Sequence, residues 1–188
     1  MNFNKRFFDV LFSLFCIILT LPFIILFGVL VKLESRGPVF YWSKRIGIHS
    51  KIFYMPKLRS MHLTAPDIPT HMFKTKKHIT KIGSFLRKFS IDEWPQFYLV
   101  FLGKMTLVGP RPALHNQEKL IKLRKKFKVD TIYPGITGLA QISGRDKLSI
   151  KKKLSYDILY LKKQNLFFDL KIIFLTLLYI IKSKDIAH

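Results

Sequence analysis

The uncharged stretch VLFSLFCIILTLPFIILFGVLV, residues 10–31, decides what kind of fold this chain has. A helix needs about 20 apolar residues to cross the hydrocarbon core of a bilayer, and this stretch is long enough. A secretory signal peptide has a shorter apolar core followed by a small-residue cleavage site, and no such site follows here. The stretch therefore predicts a membrane helix and argues against a soluble nucleic-acid-binding protein.

Pro22 lies near the middle of this stretch and removes a backbone N–H, so we expect the helix to bend there. Thr20 can support the bend by bonding back to a carbonyl. Basic residues stand on both flanks, for example Lys5 before the stretch and Lys32 after it. Because positive charge prefers the cytoplasmic side, a re-entrant helix that leaves by the side it entered satisfies both flanks. A bent helix that spans the membrane stays an alternative.

Composition limits the partners of the chain. Its 188 residues include 33 Lys+Arg against 11 Asp+Glu, a formal net charge of +22. Such a balance predicts an anionic partner, which on charge alone could be nucleic acid, acidic lipid or a phosphorylated substrate. The single cysteine, Cys16, excludes an internal disulfide and a cysteine-based zinc site.

The remaining pattern predicts a mainly α protein with a short β-hairpin, an α+β fold. Aromatic and β-branched residues at 39–47 and 51–61 flank a short turn and predict the hairpin, with Pro56 at an edge or a bulge. Helices are predicted at residues 80–88, 95–103, 116–128 and 149–163, and a turn cluster at 134–138. The last apolar stretch, residues 166–184, is interrupted by lysines. It predicts an amphipathic helix in the headgroup region.

The segment SIDEWPQ, residues 90–96, places two acids side by side in a basic chain. They could be a helix cap, a salt-bridge partner or a reaction centre. Ser90 and Glu93 match the capping-box spacing, but Pro95 fits best at the first position of a helix. We therefore predict that the helix begins at Pro95, directly after Asp92 and Glu93.

The cations around this segment favour ionised carboxylates. An ionised Asp92 is a competent nucleophile toward phosphorus. Two carboxylates repel a phosphate, and Mg²⁺ would resolve that conflict by binding carboxylate and phosphate oxygens together. These residue types therefore suit a metal-assisted phosphate site.

Six sequence blocks, in order, resemble one known family, the bacterial sugar transferases, which are monotopic phosphoglycosyl transferases. The blocks are GPVFYWSKRIG (37–47), KLRSM (57–61), SIDEWPQ (90–96), GKMTLVGPRP (103–112), PGITGLAQISGR (134–145) and YDILYLKKQ with DLKIIFLT (156–176). The resemblance extends from residue 5 to about residue 182.

This resemblance implies a reaction. Members transfer a sugar-1-phosphate from a UDP-sugar to undecaprenyl phosphate and release UMP, through a covalent aspartyl phospho-sugar intermediate. This is the first membrane step of O-antigen, capsule, exopolysaccharide or glycoprotein glycan biosynthesis. The nucleophile of the family falls on Asp92, and the acid that helps hold Mg²⁺ falls on Glu93. Arg111 is the first phosphate-binding candidate, followed by Arg145.

The resemblance also implies further residues and a location. Arg59 and Arg87 are additional phosphate-binding candidates, and the proline break of the re-entrant membrane helix falls on Pro22. The implied organisation is a short form: a re-entrant helix at 1–36 and a small catalytic domain at 37–188 surrounded by interfacial helices. The domain would lie on the cytoplasmic face of the bacterial inner membrane, where other glycan-assembly enzymes are possible partners.

Several alternatives stay open at this stage. The acidic pair could serve a membrane phosphatase or phosphotransferase, or the chain could be a non-catalytic anchor that binds anionic lipid. Transfer could also be direct, without a covalent intermediate. Asp157 and Tyr160 could support the site or only hold helices together, and Arg145 could be a structural turn contact. The basic helix around residues 124–128 is interpreted as a solvated or lipid-facing surface.

Overall fold

The computed structural model describes residues 2–65, 77–144 and 147–182. Its first element is α1 (Phe3–Glu34), a helix of 32 residues with Pro22 inside it. Thr20 Oγ1 donates to Cys16 O at 2.7 Å, the back-bond that the sequence predicted. The helix continues through Pro22, since a proline costs one backbone bond and bends a helix without having to end it. The predicted break is therefore not seen, and the re-entrant course stays a prediction.

The rest of the described chain is mainly helical with a few short strands, as predicted. The helices that follow are α2 (Lys81–Lys88), α3 (Phe97–Phe101), α4 (Glu118–Lys126), α5 (Leu139–Ile142), α6 (Ile150–Lys163) and α7 (Leu166–Lys182). The strands are β1 (Phe40–Ile46), β2 (Ile52–Leu58), β3 (Thr106–Val108), β4 (Ala113–Leu114) and β5 (Gly135–Thr137). The sequence predicted α2, α4, α6 and α7 to within a few residues of their ends.

The predicted hairpin is present, and it forms most of a small sheet. β1 and β2 pair antiparallel, with Phe40 opposite Leu58 at the open end and Ile46 opposite Ile52 at the turn. β4 joins the other side of β1, so the strand order is β2-β1-β4. Pro56 therefore lies on an edge strand, where a missing N–H is tolerated.

The parallel pair β3–β5 was not predicted, because the sequence of residues 134–138 indicated a turn. Glycines allow this pair to form. A Cβ on Gly135 would stand 2.1 Å from Gly109 N, and a Cβ on Gly138 would stand 2.1 Å from Gly109 O. The two backbones approach where no side chain intervenes. The glycines that suggested a turn serve instead as the contact surface between two chain segments.

The segment that carries the acidic pair also differs from its prediction. Ile91–Gln96 forms a 3₁₀ turn, and α3 follows it directly, so helical backbone begins four residues before Pro95. A proline φ near −65° lies within the 3₁₀ range, which is why Pro95 is accommodated inside the turn. Ser90 has φ 56° and makes no side-chain cap bond, so the capping box does not form. We call Ile91–Gln96 the acidic turn.

Helix α1 lies along the rest of the chain and is bonded to it at both ends. Near the start of the helix, Arg6 donates to Val100 O at 2.6 Å. At the end of the helix, the Glu34 carboxylate accepts from the backbone N–H groups of Lys81 at 2.6 Å and Ile82 at 3.0 Å. Those N–H groups are unpaired donors of the first turn of α2, so Glu34 satisfies them from another helix.

The two sides of α1 have opposite chemistry. The buried residues are small or polar, apart from Val31: Asp9, Ser13, Thr20 and Gly28. Large apolar side chains are exposed on the other side, among them Phe7, Leu11, Phe15, Ile18, Ile25 and Val29. Within the described residues, α1 is the one helix long and apolar enough to cross a membrane. An apolar surface of this size without protein cover is suited to contact with lipid.

Alanine at Gly135 should destabilise the protein by about 3 kcal/mol, at the upper end of the usual cost of overpacking. The added Cβ would meet the backbone of Gly109, which has no side-chain freedom with which to yield. Thermal unfolding in detergent measures the effect. Gly47→Ala is the control, because its Cβ would meet the Phe53 ring at 3.0 Å and the ring can rotate. Equal losses in the two variants would contradict the tight β3–β5 contact.

Candidate active site

Asp92 and Glu93 lie next to each other in the acidic turn, but their surroundings differ. The turn sits between α2 and α3 and packs against β2. Asp92 is buried, with 7% of its surface exposed, and the side chain of Glu93 is 13% exposed. Both carboxylates are therefore largely removed from water, which makes their partners decisive for their charge state.

Glu93 is held between two cations that come from distant parts of the chain. Lys57 Nζ, at the end of β2, lies 2.6 Å from Glu93 Oε1. Arg111 approaches the same carboxylate with both terminal nitrogens, Nη2 at 2.8 Å from Oε1 and Nη1 at 3.4 Å from Oε2. Charge-assisted bonds of this kind fix both partners in position. Glu93 therefore organises the two cations around Asp92.

Burial dominates the electrostatics of Asp92 and raises its pKa above the ordinary aspartate value. Lys57, whose Nζ lies 3.8 Å from Asp92 Oδ2, opposes this shift most strongly, and Glu93 adds to it. Arg87 and Arg111 also lower the pKa, by smaller amounts. The sequence predicted that cations would favour the ionised form, whereas in the fold the loss of hydration outweighs them.

Arg111 lies in the loop of residues 109–112, here called the arginine loop, whose carbonyls are held on several sides. Arg124 Nη1 donates to Arg111 O at 2.8 Å, and Arg45 Nη1 donates to Pro112 O at 3.2 Å. The backbone N–H of Gly135 donates to Pro110 O at 3.0 Å. Because the backbone on both sides of Arg111 is fixed, its guanidinium is directed toward Glu93 with little freedom.

Asp157 and Tyr160 lie beside the arginine loop and also join α6 to α4 and α7, so their contacts fit both of the roles left open for them. Asp157 Oδ2 accepts from Arg124 Nε at 3.0 Å and Nη2 at 2.7 Å, so it orients the arginine that holds the Arg111 carbonyl. Tyr160 Oη donates to Val108 O at 2.7 Å, one residue before the loop. Burial, with Asp169 beside it, raises the pKa of the Tyr160 phenol, which keeps it protonated as a donor.

The remaining predicted arginines divide into three cases. Arg87, in the last turn of α2, lowers the pKa of Asp92 through its charge, and its phosphate-binding role stays a prediction. Arg59 is 4% exposed and donates to Arg36 O at 2.6 Å and Ser35 O at 2.7 Å, directly after α1. Its guanidinium therefore binds backbone carbonyls at the end of α1, and its phosphate-binding role stays a prediction. Arg145 lies outside the described residues.

Lys57 contacts both members of the acidic pair, and the sequence did not predict it as a site residue. The KLRSM block predicts Arg59, and not Lys57, as the phosphate-binding cation. Strand alternation could not distinguish the two, because residues 57 and 59 are two positions apart and fall on the same face, so only tertiary contacts separate Lys57 from Arg59. Arg124 was missed for a related reason. Its basic helix looked like a surface, yet its own side chain is only 12% exposed in the ion pair with Asp157.

The acidic pair has the donor chemistry that Mg²⁺ prefers, namely one or two carboxylates with substrate phosphates completing the shell. Within the described residues, no group of three or more His, Cys, Asp or Glu side chains could hold a metal ion. Any divalent cation at Asp92 and Glu93 would therefore depend on oxygen atoms from a substrate. It would also meet the Lys57 ammonium, which already contacts both carboxylates.

The chain is similar in sequence to several known proteins. The sequence model of the bacterial sugar transferase family matches residues 1–183. The chain is 38% identical over 180 residues to the UDP-glucose:undecaprenyl-phosphate glucose-1-phosphate transferase of Klebsiella pneumoniae, covering 92% of this chain and 39% of that protein. It is 37% identical over 184 residues to the uncharacterized sugar transferase EpsL of Bacillus subtilis, covering 98% and 90%.

A third relative is the exopolysaccharide production protein ExoY of Rhizobium meliloti, 34% identical over 189 residues, with 92% of this chain and 83% of that protein covered. The chain thus spans about two fifths of the length of the Klebsiella transferase. It spans most of the length of EpsL and ExoY.

Replacement of Asp92 by asparagine should raise the melting temperature at neutral pH. A raised pKa means that the folded protein binds the Asp92 proton more tightly than the unfolded chain does. Stability is therefore lost as the pH rises from the unfolded pKa, about 3.9, through the folded one. Asparagine carries no charge, so the gain should be present at neutral pH and absent in acid below the unfolded pKa. Thermal unfolding in detergent across this pH range measures it.

Glu118→Gln is the control for that experiment, because the Glu118 side chain is 79% exposed and pairs only across one turn of α4 with the exposed Lys122. Its melting temperature should follow wild type at every pH. A lower melting temperature for Asp92→Asn at neutral pH would contradict a dominant burial cost at this position.

Proposed function

This chain belongs to the bacterial sugar transferase family, and from that premise we propose that it transfers a sugar-1-phosphate from a UDP-sugar to undecaprenyl phosphate with release of UMP. The observation that carries the proposal is the arrangement of the acidic turn. Asp92 is a buried carboxylate beside Glu93, which draws Lys57 and Arg111 to the same place. A nucleophile is thereby set among cations suited to a diphosphate.

The first step is attack by a carboxylate oxygen of Asp92 on the phosphorus that carries the sugar. A bond forms between Asp92 and that phosphorus, the bond from phosphorus to the bridging oxygen breaks, and UMP leaves with the electron pair. Negative charge grows on the bridging oxygen, where Arg111 and Arg87 can stabilise it. The burial of Asp92 supports this role, since a poorly hydrated carboxylate gives up little water when it attacks.

In the second step a phosphate oxygen of undecaprenyl phosphate attacks the same phosphorus. The bond to Asp92 breaks, the carboxylate is regenerated, and the product is undecaprenyl diphospho-sugar. Two displacements at one phosphorus allow a soluble donor and a lipid acceptor to use the site in turn. The cations around Glu93 are common to both steps, because each step passes charge through the same phosphoryl oxygens.

Mg²⁺ is the proposed cofactor, and Asp92 and Glu93 are the residues that would hold it. When bound, it would neutralise phosphate charge next to two carboxylates. Asp92 keeps the role of nucleophile, and Glu93 keeps Arg111 in place. The three cationic side chains that act on Asp92 bind and orient the diphosphate.

The membrane contributes the second substrate, and two helices present apolar surfaces to it. The outer side of α1 is apolar along its length, and α7 exposes Phe167 at 85% and Phe174 at 60% with Lys171 between them. An apolar helix surface with lysines suits the headgroup region. We place α1 as a re-entrant helix and the domain on the cytoplasmic face of the bacterial inner membrane, where soluble UDP-sugar meets the lipid acceptor.

Three other functions make different predictions. A phosphatase or phosphotransferase using an aspartyl-phosphate would act on phosphate esters without a sugar nucleotide. A non-catalytic anchor for anionic lipid would show no turnover at all. Direct transfer from UDP-sugar to lipid would release UMP without a covalent adduct. The ion pairs of Glu93 with two cations favour an enzyme over an anchor, because an anchor has no need of a buried acidic pair.

The purified protein, given Mg²⁺ and a panel of UDP-sugars that includes UDP-glucose, should release UMP in multiple turnovers only when undecaprenyl phosphate is present. Without the acceptor, the intact mass should increase by one sugar-phosphate. Asp92→Asn should reduce UMP release by at least about 10³-fold, as removal of a nucleophile does, and should give no adduct. UMP assays and intact mass spectrometry measure both.

Glu118→Gln serves as the matched acidic control and should keep wild-type turnover, since Glu118 lies on the exposed side of α4. Full activity of Asp92→Asn would exclude Asp92 as the nucleophile. UMP release without any adduct would favour direct transfer, and phosphate release from simple esters would favour the phosphatase.

Both ends of α1 should be reached from the cytoplasmic side, because Arg6 and Glu34 bind the same domain at the two ends of the helix. In a Cys16→Ser background, Asn4→Cys and Leu33→Cys should each react with an impermeant maleimide in inverted vesicles and not in spheroplasts. Leu33 is 77% exposed and therefore accessible to the reagent. Reaction of the two cysteines from opposite sides would show a spanning helix.

A further inference from the structure

Lys57 is the cation that contacts both members of the acidic pair. Its ammonium lies 2.6 Å from Glu93 Oε1 and 3.8 Å from Asp92 Oδ2, and its side chain is 16% exposed. The backbone of Lys57 is fixed by the hairpin, opposite Tyr41. The rest of the side chain is a flexible four-carbon stem that carries a compact charge. The ammonium can therefore be displaced without any movement of the strand.

Arg111 differs from Lys57 in the way it is held. Its guanidinium binds Glu93 bidentately, and its carbonyl accepts from Arg124, which is bound in turn to Asp157. A planar fork on a clamped loop has little freedom to leave. Lys57, by contrast, binds Glu93 through a single ammonium at the end of a flexible side chain.

A divalent cation bound to both carboxylates would need the space that the Lys57 ammonium occupies between them. An ammonium and a divalent cation within about 4 Å of each other repel strongly when both are largely shielded from water. The acidic pair therefore cannot hold the ammonium and a bridging divalent cation together. The ammonium and the metal compete for the same two carboxylates.

We propose that Lys57 is a displaceable counter-ion of Asp92 and Glu93: it neutralises the pair when no divalent cation is bound and moves to a diphosphate oxygen of the sugar nucleotide when one binds. The destination of the ammonium rests on the proposed function, whereas the competition with the metal does not. A site of this kind holds its two carboxylates together at all times, first through an ammonium and then through a metal. It also delivers a cation to the substrate as the metal binds.

The competition is tested by Mn²⁺ binding to the detergent-purified full chain without nucleotide, measured by electron paramagnetic resonance of free Mn²⁺. Lys57→Met should bind Mn²⁺ at least about tenfold more tightly than wild type, because the competing charge is gone. Lys57→Arg keeps the charge and should bind no more tightly than wild type. Unchanged or weaker binding in Lys57→Met would overturn the proposal.

Lys44→Met is the matched control, because it removes the same charge from the same hairpin. Lys44 lies opposite Tyr54, whereas Lys57 lies opposite Tyr41, so alternation puts the two lysines on opposite faces of the sheet. Its Mn²⁺ affinity should equal that of wild type. A tenfold gain in Lys44→Met as well would show a general charge effect and overturn the specific role of Lys57.

Wild-type protein provides a test that does not depend on the folding of any variant. Mg²⁺ should increase acetylation of Lys57 by an amine-reactive reagent, measured by peptide mass spectrometry, and addition of UDP should reverse the increase. No change with Mg²⁺ would overturn the displacement, and no reversal with UDP would overturn the move to the diphosphate. Failure of UMP release would count against the proposed function and would leave the Mn²⁺ result unaffected.

Discussion

The ammonium of Lys5 joins α1 to the part of the fold that carries the arginine loop. It contacts Val108 O at 3.2 Å, Tyr160 Oη at 3.3 Å and the carboxylate of Asp169. A buried charge is costly unless it is paired and hydrogen-bonded, so these groups depend on one another. The first turn of α1 is therefore locked to α6, to α7 and to the end of β3. The arginine loop begins at the residue after Val108.

From these contacts, a series of hydrogen bonds and ion pairs leads through the arginine loop to the acidic turn. Each carbonyl of residues 110–112 accepts a bond, two of them from the arginines Arg45 and Arg124. The loop positions Arg111, and Arg111 and Lys57 both form ion pairs with Glu93. Asp92 lies beside them, and burial has the largest effect on its pKa. Two neighbouring acids thus acquire different chemistry. One is neutralised by direct ion pairs, and the other is a poorly hydrated carboxylate.

The many apolar residues and the many cations of this chain have different places in the fold. Apolar side chains are exposed along α1 and α7, although a soluble protein rarely leaves large apolar surfaces uncovered. Some of the cations have a structural role: Arg6 and Arg59 bind backbone carbonyls near the two ends of α1. Positive charge in this fold therefore fastens α1 to the rest of the chain.

Features that repeat over short distances were predictable from the order of the residues alone. Apolar length predicted α1, alternation predicted the hairpin, and periodicity predicted α2, α4, α6 and α7. The order of the short blocks led to the family and to Asp92 with Glu93. Each of these signals is contained in residues that are neighbours along the chain, so each could be interpreted without knowledge of the fold.

Which charged groups contact each other depends on the folded chain and was not predictable from the sequence. Arg59 and Lys57 are two residues apart, yet one caps α1 and the other binds the acidic pair. The 3₁₀ form of the acidic turn and the β3–β5 contact also depend on segments far away in sequence. The pKa of Asp92 shifts with burial, which local sequence does not encode. Electrostatic and desolvation energies depend on distance in space, and the folded chain alone sets those distances.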